Sequence, residues 1–209
     1  MHRQDLLDII QLYQDSWGQN QVLSGRVQQR DFEISKNFLD FVKSADRCFD
    51  RTNVPGHITG SALIVNQDLT QVLLTHHKKL DIWLQLGGHA DGNHDVVDVA
   101  MTEAHEESGL QDLSLLKYEE AIFPHLRPLK RAIPFDLDTH VIPKTATSPE
   151  HWHFDVRFLI VSDSRCLPLI SDESHDVRWF TFNDARNVTQ EDSMERQFKK
   201  TEAIRKHLV

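Results

Sequence analysis

Three glutamates, Glu103, Glu106 and Glu107, crowd the stretch EAHEESGL at residues 103 to 110. On a helix, at roughly 100° per residue, they fall within a sector of about 100°, so three carboxylates share one face. Gly109 ends the helical pattern and puts that face in the last two turns, where the helix dipole is negative. Glu103 and Glu107 also form a like-charge pair at i,i+4. No Lys or Arg occurs between residues 93 and 112, so compensating charge must come from elsewhere. Two readings are open: a solvated acidic surface, or a binding face for a hard divalent cation. Mg²⁺ or Mn²⁺ takes carboxylate oxygens and keeps waters and substrate phosphates as its other ligands.

The elements that must hold this face follow from hydrophobic period. HITGSALIVN (57–66), QVLLTHH (71–77) and IWLQL (82–86) read as strands. A helix is expected over 95–108, with Asp95 as N-cap and Val97, Ala100, Met101 and Ala104 as the packing stripe beside the glutamates. Strands are expected at 113–123, 133–143, 153–162 and 177–182, and an amphipathic helix at 190–207. Residues 1–50 carry helix-period apolar positions and read as a helical N-terminal extension; the turn-rich RTNVPG (51–56) separates it from a domain spanning 51–209. The class is α/β, a mixed sheet sandwiched between helices. The extension fits a contact between two copies in a homodimer, a lid over a pocket, or packing alone.

Counted from Gly88, the chain resembles the 23-residue signature of the Nudix hydrolases, Gly-x5-Glu-x7-Arg-Glu-U-x-Glu-Glu-x-Gly-U with U a bulky aliphatic residue. Gly88, Glu103, Glu106, Glu107, Gly109 and Leu110 fall in frame without a gap, and Ala104 is a small substitute for the first aliphatic position. Two positions depart: His94 stands at the first Glu and Thr102 at the Arg, both of which brace the loop and helix in that family. The resemblance covers about residues 57–185. It implies the Nudix α/β/α sandwich with a mixed β-sheet, and hydrolysis of a diphosphate linkage in a nucleoside diphosphate derivative or related small molecule by water attack at phosphorus. It further implies Mg²⁺ or Mn²⁺ held by Glu103, Glu106 and Glu107, with the backbone carbonyl of Gly87 or Gly88 completing the set. One glutamate, Glu103 or Glu106 first, or an acidic side chain from a distant loop, would be the general base. A non-catalytic Nudix-fold module that senses a nucleotide or metabolite is the alternative, and His94 and Thr102 are its evidence. Isomerase chemistry of the isopentenyl-diphosphate type needs a reactive cysteine; Cys48 lies in the extension and Cys166 past the end of a strand, so neither is well placed.

Substrate contacts are sought on two strands. Asp136, Asp138 and His140 alternate onto one face of FDLDTH, and His153, Asp155 and Arg157 onto one face of HWHFDVRF. Paired as a hairpin, they form a single polar patch, either a hydrogen-bonded network or a substrate pocket. His89 and Asp91 sit in the signature loop, Lys78 and Lys79 follow a strand, and Glu173, His175 and Asp176 precede the last one. The formal net charge of −9 argues against a broad nucleic-acid surface but leaves room for a small diphosphate held through metal. No apolar run reaches membrane-spanning length and the N-terminus has no signal pattern, so a cytoplasmic location is expected; two cysteines make no disulfide framework.

Overall fold

The central strand is β1 (Gly56–Asn66), buried along its whole length because both of its edges are paired. One edge runs parallel to β7 (His151–Ser162) throughout. The other is shared: residues 59–62 pair with β4 (Leu86–His89), and residues 64–65 with β2 (Gln71–His77). β2 also carries β3 (Ile82–Leu84) and β8 (Ser174–Thr181), while the outer edge of β7 takes β6 (Asp136–Ile142) and then β5 (Ser114–Leu115). The result is an eight-stranded mixed sheet. This computed structural model describes residues 2–19, 23, 25–126, 131–145 and 148–208.

The shared edges explain two departures from the expected strands. A single strand over 82–86 cannot stay in two ladders, so it breaks at Gln85: β3 pairs with β2, whereas β4 pairs with β1. The long strand expected at 113–123 shrinks to β5, because β6 already occupies β7 along residues 151–157 and leaves only its last five residues, of which β5 pairs with 160–161. The chain continues instead into α4 (Glu119–Ile122) and a 3₁₀ turn at Pro124–Leu126. At the other end, strand pairing stops at Thr181, whose hydroxyl caps α5 (Phe182–Val188) by accepting from the Asp184 N–H at 3.2 Å.

α3 (Val96–Ser108) begins at Asp95, which accepts from the Asp98 N–H, and ends at Gly109 in the left-handed conformation, both as expected. Its packing stripe is rotated from the expected one: Val96, Val99, Ala100 and Ala104 are buried, whereas Val97 and Met101 are only partly so. Gly60 sets this. A Cβ there would lie 2.8 Å from Val99 Cγ1 and 3.0 Å from the Val96 carbonyl, so the glycine lets the first turns of α3 lie directly on β1.

α6 (Asp192–Leu208) lies over the opposite face of the sheet, where Arg196 reaches Asp136 and Asp138 and Gln197 reaches Gln85. α2 (Gly25–Ser44) instead packs Phe38 and Phe41 on Phe154, which shares the α3 face with Gly60, and α1 (Arg3–Ser16) lies against α2. Leu6, Ile9, Ile10 and Tyr13 of α1 and Ile34, Phe38 and Val42 of α2 join Leu137, Phe158 and Phe198 in one core. Of the three roles open to the extension, packing is thus visible in the structure. Among the described residues no helix is long and apolar enough to cross a membrane.

Candidate active site

The face of the sheet opposite α3 carries three polar rows. His140 on β6, His153 on β7 and His57 on β1 are direct neighbours across the ladders. One step along, Asp138, Asp155, Thr59 and His89 align across β6, β7, β1 and β4; the next row is Asp136, Arg157, Ser61 and Gly87. The expected hairpin therefore forms with the expected residues on one face, and β1 and β4 extend its polar patch. HITGSALIVN showed this in sequence: His57, Thr59 and Ser61 alternate onto one face of an otherwise apolar strand.

The rows divide into a buried network and an open cleft. Arg157 is sealed from solvent, its guanidinium 2.7 Å from Asp155 and 3.3 Å from both Asp136 and Asp138. Asp155 also accepts from Thr59 and Ser61 at 2.9 and 2.7 Å. Behind them Lys200 Nζ, fully buried, lies 2.8 Å from Asp31 and from Asp136 and donates to the Tyr13 hydroxyl. Arg196 bridges Asp136 and Asp138, and Arg30 reaches Asp138 at 2.6 Å. Burial alone would raise the Asp138 carboxyl, but Arg157 and Arg196 hold it down to about 2. Asp136, Asp155 and Arg157 are thus held in a charge network that ties α1, α2 and α6 to the sheet. Lys200, Arg196, Arg30 and Asp31 could not have been assigned to it from sequence, because they lie far apart along the chain.

The cleft, about 410 Å³, is lined by Arg51, Thr59, Ser61, Lys79, Gly87, Gly88, His89, Glu103, His140, His153, Asp155 and Glu173, among others. An adjoining hollow holds Asp138, Arg157 and Arg196 and shares His140 with it. β4 brings the cleft and the glutamate face together. Its two glycines leave no room for side chains: a Cβ on Gly87 would overlap Ser61, and one on Gly88 would overlap the Glu103 carboxylate. Glu107 accepts the Gly87 N–H at 3.1 Å. Burial, followed by the charges of Glu106 and Glu173, pushes the Glu103 carboxyl up to about 7; burial pushes Glu107 up to about 8. Glu106 is exposed. Among the described residues none of the three forms an ion pair within 4 Å. Crowded carboxylates in that state could serve as oxygen donors to a hard divalent cation.

The signature loop is braced without the family's Glu and Arg. Asp91 is ion-paired with Arg51 and does not line the cleft, and His94 stacks on Phe49 with ring centroids 4.4 Å apart. The Gly92 N–H donates to the Phe49 carbonyl at 2.8 Å. Lys78 is taken up by the Asp172 carbonyl, leaving Lys79 of that pair in the cleft. Glu173 stands in the cleft, Asp176 pairs with Arg178, and His175 packs near His76.

The chain is thus a mixed α+β fold, a sheet between helices with a carboxylate-bearing helix packed over a glycine strand. The family model for the NUDIX domain matches residues 56–201, and the chain belongs to that family, a Nudix hydrolase of pyrophosphate linkages. Among solved structures it is similar to a C. elegans Ap4A hydrolase binary complex, at 16% identity and a TM-score of 0.51 over 70% of this chain and 95% of that one. It is also similar to a NUDIX family hydrolase from Clostridium perfringens, at 27% identity and a TM-score of 0.49 over 71% of this chain and 95% of the other. The E. coli dihydroneopterin triphosphate pyrophosphohydrolase aligns at 13% identity and a TM-score of 0.49, over 68% of this chain and 92% of that one. No curated protein matches the sequence.

Proposed function

We propose that the protein catalyses Mg²⁺- or Mn²⁺-dependent hydrolysis of a diphosphate linkage in a nucleoside diphosphate derivative or a related small molecule. The observation that carries this reading is the pair of half-buried carboxylates without ion-pair partners among the described residues, Glu103 and Glu107, set against a cleft of small-molecule size. Glu103, Glu106 and Glu107, with the Gly87 carbonyl, hold the metal. Held there, the metal would supply charge neutralisation at the phosphates and acidify the attacking water. Glu103 or Glu106 accepts the proton from that water.

His89, His140 and His153 face the substrate from the sheet. Asp138, Asp155 and Arg157 fix the floor beneath them, and Asp91 acts through its pairing with Arg51, which holds the signature loop in place. That bracing by Arg51, Asp91, Phe49 and His94 supports an enzyme over a sensor, since it replaces what His94 and Thr102 remove.

The test is release of phosphate-containing products from a panel of diphosphate compounds, with Mg²⁺ and separately Mn²⁺, for wild type and Glu106→Gln. Metal-dependent turnover that the exposed-site variant abolishes, with its thermal melt unchanged, is the expected result. No turnover on a broad panel, with nucleotide still binding, overturns it.

A further inference from the structure

Beyond the glutamate face lies a second cluster of ligand-type side chains. His57 on β1 faces His153 on β7 in the parallel ladder, and His151 is two residues along the same face of β7. One ring nitrogen from each of the three lies within 4.8 Å of the other two. His151 Nε2 and His153 Nε2 are 3.3 Å apart. Two nitrogens bound to one tetrahedral ion at about 2.0–2.1 Å sit about 3.3–3.4 Å apart, so this pair already has the spacing of ligands.

Hydrogen bonding leaves the facing Nε2 atoms of His151 and His153 only each other, and His57, among the described residues, without a partner for either ring nitrogen. The Pro149 carbonyl can only accept, so His151 Nδ1 at 2.8 Å carries the proton and donates it, which leaves Nε2 as a bare lone pair directed at His153. An outward N–H donated to a backbone carbonyl is the usual support of a metal-binding imidazole. His57 is 2% exposed and neither of its ring nitrogens has a hydrogen-bond partner of ordinary geometry, although the Asn53 carbonyl lies close enough to favour its protonated form slightly. A buried imidazole with nothing to bind is costly, and these three point at one another.

We propose that His57, His151 and His153 form a site for a borderline divalent cation of the Zn²⁺ type, separate from the carboxylates that hold Mg²⁺ or Mn²⁺. Imidazole selects Zn²⁺, Cu²⁺ or Ni²⁺ over Mg²⁺, which takes oxygen. Three protein ligands leave a fourth position for water or a ligand oxygen. Of the three, His153 lines the cleft, which places the ion against the wall of the candidate active site and gives it a route of entry.

The test uses the full chain, stripped of metal and then loaded with Zn²⁺ or Co²⁺ in the presence of excess Mg²⁺, which occupies the carboxylates. One equivalent of Zn²⁺ should survive gel filtration, and Co²⁺ in its place should show the intense visible bands of tetrahedral coordination. Affinity should fall by more than about 100-fold in His151→Gln and in His153→Gln. It should be unchanged in a Glu103→Gln/Glu106→Gln double variant, so failure here is distinguishable from failure of the hydrolase reading. X-ray absorption of the zinc-loaded wild type, which needs no variant, should count three imidazoles. No retained Zn²⁺, fewer than three imidazoles, or binding lost with the glutamates and kept without the histidines overturns the proposal.

Discussion

Mg²⁺ binding should depend steeply on pH, and the direction follows from the two raised carboxyls. In the metal-free fold Glu103 and Glu107 are pushed up to about 7 and about 8, so both are protonated at pH 6 and both ionised at pH 9. Mg²⁺ takes only the ionised form, so it must displace those protons, and each contributes up to about tenfold in apparent affinity per pH unit below its own value. From pH 6 to pH 9 that is about 100-fold from Glu107 and about tenfold from Glu103; Glu103 is the more exposed, so solvent screening trims its share. Calorimetric titration with Mg²⁺ in buffers of different ionisation enthalpy would count the protons directly, with about two released per protein at pH 6 and none at pH 9. Stability should move with it. A carboxyl raised above its unfolded value contributes stability below that unfolded value and loses it as pH climbs through the raised one, so the metal-free melting temperature should fall between about pH 5 and pH 8. Added Mg²⁺ should restore it most at the alkaline end. A Mg²⁺ affinity that changes less than threefold across the range, or a slope that Glu107→Gln leaves intact, would refute the reasoning.

Three further outcomes are expected. Lys200→Met removes the buried cation between Asp31 and Asp136 and should cost about 3–5 kcal/mol by thermal or urea unfolding, most of it recovered in a Lys200→Met/Asp31→Asn double variant that restores charge balance. Gly60→Ala drives a methyl into Val99 and the Val96 carbonyl, so α3 must lift and carry the glutamates with it; a loss of about 1–3 kcal/mol in stability should accompany a fall in kcat/KM on whichever diphosphate is turned over. Arg51→Ala breaks an exposed ion pair with Asp91 and should change stability by less than about 1 kcal/mol, yet lower kcat/KM severalfold by releasing the signature loop.

Local chemistry was legible in the chain. The α3 cap at Asp95, its left-handed end at Gly109, the strand QVLLTHH and the facing rows of FDLDTH and HWHFDVRF all depend on neighbours a few residues away, and they appear where hydrophobic period and turn chemistry put them. The fixed spacing from Gly88 to Leu110 likewise determined which carboxylates would share a face, because a helix leaves no freedom in that geometry.

Tertiary structure decided whatever depends on competition for partners. β5 is short because β6 had taken its edge, the strand at 82–86 broke because two ladders claimed it, and the packing stripe of α3 turned by about one residue because Gly60 lies beneath Val96 and Val99. The polar patch that sequence left undivided was split by distant residues: Lys200, Arg196 and Asp31 turned Asp136 and Arg157 into buried structure, while His140 and His153 stayed in the cleft. The sequence by itself determined which groups could do chemistry. Only the fold decided which of them meet, because charge compensation and burial are settled by residues some 60 to more than 100 positions away along the chain.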